Sequence, residues 1–124
     1  MDLIEQIKQN ARENRQRIVL PEGDEARTLK AADQLIADGI ADVILIGPAQ
    51  TIKDMAAEFN LKNIDKAYIV DPKNNPDRDK YANLLFEIRK SKGMTIEQAQ
   101  ELAENFMYLG VLMLKAGDAD GLVS

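Results

Sequence analysis

The chain has 124 residues, with 16 Lys and Arg against 21 Asp and Glu for a net charge of −5, and it contains no His, Cys or Trp. Imidazole bases, thiol nucleophiles, Ser-His-Asp triads, disulfides and ordinary zinc centres are therefore excluded from its chemistry, and an acidic balance (pI ≈ 4.8) argues against nucleic acid or an anionic membrane as the main partner. Hydrophobic residues make up 45%, enough for one compact core. No apolar run approaches the roughly 18 residues of a membrane span, and the start of the chain has neither the basic nor the apolar segment of a signal peptide, so a soluble cytoplasmic domain is expected.

Leu3, Ile4, Ile7 and Ala11 recur at helical spacing behind Asp2 as N-cap and predict an amphipathic helix to residue 14. Ile18, Val19 and Leu20 form a short apolar run stopped by Pro21-Glu22-Gly23-Asp24, where Pro and Gly suit a turn and Asp24 can cap the next helix. Leu29, Ala32, Leu35 and Ile36 mark that helix's buried face, and Asp38-Gly39 its end. The unit then repeats: Val43 to Ile46 is an apolar run, Gly47-Pro48 ends it with Pro at the first helical position, and Ile52, Met55, Ala56 and Phe59 carry a helix face.

A third run, Ala67 to Val70, stops at Asp71-Pro72 and the polar loop Lys73-Asn74-Asn75-Pro76. Tyr81, Leu84, Leu85 and Ile88 predict a helix that stops near Gly93. Thr95 with Gln98 makes a capping box for one long helix holding Ala99, Leu102, Phe106, Leu109 and Met113 and closed by Gly117. Residues 120–124 read as a fourth strand. Met94, Met107, Met113, Tyr81 and Tyr108 lie at core spacing, and Leu109, Val111, Leu112 and Met113 are expected to reach an interface through which the isolated chain associates.

Continuous apolar runs alternating with helices indicate an α/β, doubly wound, mostly parallel sheet with helices on both faces. Ligands bind such sheets outside the carboxyl ends of the strands, here the loops at 21–27, 47–51 and 71–76 and whatever follows Ser124. Arg27 falls in the first turn of its helix, where the macrodipole disfavours a cation by some tenths of a kcal/mol. It either holds an anion such as phosphate or carboxylate in a bidentate grip or pairs superficially with Glu22 or Asp24. In the same loop Gly23 would let backbone approach a ligand, and Glu22 is a base, an Arg partner or a solvated turn residue. Arg89-Lys90-Ser91-Lys92 makes residues 71–93 locally positive and is either a seat for a phosphorylated ligand or a set of cations favoured at a helix C-terminus. Asp71 is a lone acid at a strand end and reads as a turn residue. No glycine-rich dinucleotide fingerprint and no P-loop follows any strand.

Taken in order, Arg17-Ile18-Val19-Leu20-Pro21-Glu22-Gly23-Asp24-Glu25-Ala26-Arg27, the stretch from Gly39-Ile40-Ala41-Asp42 to Gly47-Pro48, Arg89-Lys90-Ser91-Lys92-Gly93-Met94-Thr95 and the ending Gly117-Asp118-Ala119-Asp120-Gly121-Leu122-Val123-Ser124 resemble the phosphate acetyltransferases (phosphotransacetylases). The resemblance implies a two-domain α/β fold related to the isocitrate and isopropylmalate dehydrogenases, of which residues 1–124 are the N-terminal portion. It implies direct transfer of acetyl between coenzyme A and inorganic phosphate, giving acetyl phosphate, in a ternary complex without cofactor or metal. The base is then an Asp, aided by a Ser and an Arg, in a later segment that this chain does not contain. Arg27 resembles the arginine near the phosphate or acetyl phosphate site and Arg89 one that binds coenzyme A. Ser124 resembles the start of the family's Ser-Gly-Ala-like turn, which lines the cleft, and Glu22 and Gly23 are added by the loop argument. The resemblance further implies a homodimer, and a 124-residue chain that is inactive alone. Phosphate butyryltransferase, which shares the fold, is the enzyme alternative. A non-catalytic acyl-CoA-sensing domain like those fused behind some malic enzymes, or a free-standing flavodoxin-like module, would be binding alternatives.

Overall fold

The computed structural model describes residues 3–124, with no side-chain description for Leu3, Ile4, Glu5, Ile7 and Lys8. The expected cap Asp2 lies outside the described residues. After helix α1 (Leu3–Glu13) come β1 (Gln16–Leu20), α2 (Ala26–Ala37), β2 (Ala41–Ile46), α3 (Ala49–Glu58), β3 (Tyr68–Val70), α4 (Arg78–Arg89), α5 (Ile96–Leu102), α6 (Phe106–Lys115) and β4 (Gly121–Leu122), with short 3₁₀ turns at Ile64–Lys66, Pro72–Asn74 and Lys90–Lys92. The four strands form a parallel sheet in the order β3-β2-β1-β4.

The runs are continuously apolar because both faces of the sheet are covered. Leu20, Val43 and Leu45 pack with Leu29 and Ala32 of α2 and Ile52 of α3 on one face. Val19, Ile44, Ile46 and Val70 pack on the other face with Tyr81 and Leu85 of α4, Ala99 of α5, and Leu109, Leu112 and Met113 of α6. The α/β doubly wound expectation holds.

Helix ends follow from single residues. Gly39 (φ 67), Asn60 (φ 57) and Gly117 (φ 80) adopt the left-handed conformation. Each closes a paired hydrogen-bond motif, as when Gly39 N–H reaches Ile36 O and Ile40 N–H reaches Leu35 O. The expected long final helix is two. Its Thr95/Gln98 capping box is present, but α5 stops at Leu102 and α6 restarts behind Asn105. The Asn105 side chain accepts from Met107 N–H and Tyr108 N–H, which offers the backbone a new helix start in place of continuation. Pro48 is the N-cap of α3, one position before the helix proper. Of the four residues expected at an interface, Val111 is exposed whereas Leu109, Leu112 and Met113 are buried within the chain's own core; Met107 and Tyr108, expected in the core, are exposed beside Val111 because α6 lies at the edge of the core.

β4 has only two residues, opposite Ile18 and Val19. It is held at its start by Arg17, whose Nε donates to Asp120 Oδ2 at 3.1 Å and whose Nη2 donates to Asp120 Oδ1 at 3.0 Å and to Gly117 O at 2.9 Å. Backbone closes the same contact, with Arg17 N–H on Asp120 Oδ2 and Asp120 N–H on Arg17 O, both at 2.8 Å. The guanidinium holds the Asp120 carboxyl down at about 2.

Candidate functional site

The order of strands decides where a ligand fits. From β1 the chain steps through α2 to β2 and through α3 to β3 on one side, with both helices on one face, then returns through α4, α5 and α6 on the other face to β4 on the far side of β1. The direction of winding therefore reverses between β1 and β4, and the crevice beyond their carboxyl ends is the place where doubly wound sheets bind ligands.

The loop after β1 forms one wall of this crevice. Glu25 N–H closes a turn on Glu22 O at 3.2 Å, and Gly23 N–H donates to Ile46 O, at the end of β2, at 2.9 Å. A Cβ on Gly23 would lie 2.7 Å from that carbonyl oxygen, so only glycine fits. Gly47 in turn packs on the Gly23-Asp24 peptide and donates its N–H to Val70 O, at the end of β3, at 3.0 Å. Asp71 then accepts from Ala49 N–H at 3.2 Å and from Lys73 N–H at 3.1 Å. The three loops at this edge are thus joined in series.

Helix α2 starts against the first of them. Its N-cap is Glu25, not the expected Asp24, because the Glu22 to Glu25 turn delays the helix. No side chain caps it and no acid stands in its first turn. Arg27 is exposed on that turn and joins no ion pair among the described residues; the superficial pairing with Glu22 or Asp24 does not form. Open N–H groups stand at this helix start beside a guanidinium with no ion-pair partner among the described residues, an arrangement chemically suited to an oxyanion through dipole and backbone donors on one hand and charge and fork geometry on the other.

Ser124 belongs to the opposite wall. Val123 N–H continues the β4 ladder to Val19 O at 3.1 Å, so the register carries Ser124 alongside Pro21, one residue before Glu22. The structure therefore brings Glu22, Gly23, Arg27 and Ser124 to one edge. It does not bring Arg89 to them by any hydrogen bond or ion pair among the described residues. Arg89 is the exposed last residue of α4, followed by the turn at Gly93 (φ 89).

A separate cleft of about 500 Å³ lies along the β2–β3 half of the sheet, bordered by Tyr68, Asn75, Lys80, Tyr81 and Asp118. Asp71 of the third loop also borders it, whereas Glu22, Gly23, Arg27 and Ser124 do not, and it was not legible in the sequence. Asp118 accepts from Lys80 Nζ and Tyr81 Oη, both at 2.6 Å. The Lys80 hydrogen bond, then that of Tyr81, holds the Asp118 carboxyl below its ordinary range. Burial, then the Asp118 contact, pushes the Tyr81 phenol up. Lys80 and Asp118 neutralise one another, and the two bonds tie α4 to the turn before β4; 37 and 38 residues separate the partners, so no spacing announces them.

A family model described as phosphate acetyl/butaryl transferase matches residues 2–124. The chain belongs to that family. Among phosphate acetyl/butaryl transferase relatives it is 47% identical to the phosphate acetyltransferase of Thermoanaerobacterium thermosaccharolyticum and 44% identical to that of Clostridium acetobutylicum, each over 124 residues that make up 100% of this chain and 37% of the relative. Its fold superposes with a TM-score of 0.87, at 32% identity, on the EutD phosphotransacetylase from Staphylococcus aureus, covering 100% of this chain and 38% of that one. The chain thus spans little more than a third of the length of these relatives. Among the described residues no helix is long and apolar enough to cross a membrane.

Proposed function

We propose that this chain is the N-terminal portion of a two-domain phosphate acetyltransferase and forms one wall of the site where acetyl passes between coenzyme A and inorganic phosphate. The observation that carries this reading is Arg27, without a carboxylate partner among the described residues, on an uncapped helix start at the winding reversal, in a chain 47% identical to a phosphate acetyltransferase. A phosphate oxygen attacks the thioester carbonyl, the C–S bond breaks, and the leaving thiolate takes a proton from the Asp that removes it from the thiol in the reverse direction, so that coenzyme A departs as its thiol and acetyl phosphate is the other product. The charge to be held is on phosphate throughout and on the carbonyl oxygen in the tetrahedral transition state.

Arg27 and the first N–H groups of α2 hold the phosphoryl oxygens, Gly23 keeps the turn close enough for them to do so, and Glu22 lies in the same loop at the rim of the site. Ser124 lines the facing wall, and Arg89 takes part of coenzyme A. The base, an Asp aided by a Ser and an Arg, comes from the remainder of the enzyme, so the 124-residue chain alone turns over nothing measurable. No cofactor is needed. The working form is a cytoplasmic homodimer.

The test is phosphate-dependent release of thiol from acetyl-CoA by the full-length enzyme. Losing a charge-assisted contact worth about 1.5–3 kcal/mol, Arg27→Ala should raise the phosphate KM roughly ten- to hundredfold. An unchanged phosphate KM would overturn the reading, and turnover by the 124-residue chain itself would overturn the placement of the base.

A further inference from the structure

Helix α3 begins behind Pro48, whose side chain has no acceptor, so the helix cannot cap itself. The acceptor comes from Asp71, 22 residues later, through the 3.2 Å bond from Ala49 N–H to Oδ2. The other carboxylate oxygen takes Lys73 N–H at 3.1 Å, fixing the turn after β3. A turn alone requires one of these oxygens. The second reaches across to the β2–α3 turn, and no ion pair among the described residues involves the group.

What the β2–α3 turn touches gives this bond its consequence. Gly47 lies against the Gly23-Asp24 peptide, where a Cβ would stand 3.4 Å from Asp24 N, and Gly23 is bonded to Ile46 O just before Gly47. The loop that leads into Arg27 therefore rests on the segment that Asp71 pins. Of the two helix starts joined here, α3 is satisfied by a carboxylate and α2 is left open beside Arg27. A negative charge placed on α3 also leaves α2 as the one able to receive an anion.

We propose that Asp71 is a positioning residue of the phosphate site, holding the β2–α3 turn in the place that sets where Arg27 stands. This rests on the reading of Arg27 given above. In the full-length enzyme, Asp71→Asn keeps the size of the side chain and one oxygen acceptor but loses the second. It should raise the phosphate KM about three- to tenfold while kcat and the acetyl-CoA KM stay within about twofold. Because Asp71 acts through Arg27, adding Asp71→Asn to Arg27→Ala should change the phosphate KM by less than about 1.5-fold more.

An Asp71→Asn enzyme with unchanged phosphate KM would overturn the proposal, as would equal losses for both substrates or effects that multiply with those of Arg27→Ala. An enzyme that no longer folds with Asn at 71 would overturn it too, by making Asp71 a requirement of the whole fold. These results are separable from failure of the underlying reading: if Arg27→Ala leaves the phosphate KM unaltered, that reading falls, whereas a normal Arg27→Ala loss beside a silent Asp71→Asn removes Asp71 alone.

Discussion

Replacing Gly23 by Ala tests the joint between the first two loops. The added Cβ would stand 2.7 Å from Ile46 O and 3.1 Å from Ile46 C, so the loop must retreat by roughly 0.7 Å to reach ordinary contact. That retreat stretches the Gly23 N–H to Ile46 O bond from 2.9 Å beyond useful hydrogen-bond length. Leaving a buried pair unsatisfied costs about 1–3 kcal/mol and overpacking a comparable amount. The two are not additive, since the same movement relieves one by incurring the other. Alanine's smaller unfolded-state entropy returns about 0.4–1 kcal/mol. The net loss should be about 0.5–2.5 kcal/mol, lowering the urea midpoint by about 0.3–1.7 M, followed by far-ultraviolet circular dichroism. A midpoint that moves by less than about 0.3 M would refute the claim that this position admits only glycine, and with it the account of why the Arg27 loop is fixed.

Asn105→Ala should cost about 1 kcal/mol in the same denaturation assay, because α6 loses the acceptor for Met107 N–H and Tyr108 N–H; an unchanged midpoint would mean that α5 and α6 are separated by packing alone. Asp120→Asn should destabilise the chain at neutral pH and not in strong acid. The Asp120 carboxyl is lowered from 3.8 to about 2 in the folded state, chiefly by its hydrogen bond from Arg17, so its contribution is whole above the unfolded value and disappears as pH falls through the folded one. Melting curves of both chains should therefore draw together as pH falls from about 4 towards 2, and a gap as wide at pH 2 as at neutral pH would contradict the assignment.

The strands were legible because Val43 to Ile46 could be continuously apolar only with both faces covered, and three helix ends were legible because Gly39, Gly93 and Gly117 stand where a left-handed residue is needed. Asn60 does the same work but announces it less clearly, since asparagine also serves in loops. The break at Asn105 was hidden by an apolar period that runs through it. Hydrophobicity also misplaced Met107 and Tyr108, because a helix lying at the edge of the core shows part of its apolar face to solvent. Glu22, Gly23 and Arg27 could be grouped from sequence since one loop carries them, and Ser124 since it ends the strand that returns beside β1. Arg89 rested on resemblance, and no bond joins it to the others among the described residues. The Asp71 bridge to Ala49 could not be foreseen, because a contact between two loops depends on strand order, which periodicity does not encode.

The pairing of β1 with both β2 and β4 also orders the assembly of the sheet in time. Ile18 meets Val43 after one helix but Gly121 only after the rest of the chain, and Arg17 and Asp120 are 103 residues apart. A closure about fourfold longer costs roughly 1.2 kcal/mol more in chain entropy, and β4 has two residues with which to offset it. The β1-α2-β2-α3-β3 unit is thus the natural nucleus, and β4 docks after α4, α5 and α6 have formed. Weakening the Arg17–Asp120 contact should then speed unfolding and leave the folding rate nearly unchanged. The wall that carries Arg27 is in place early, and the wall that carries Ser124 is the last to arrive and the first to leave.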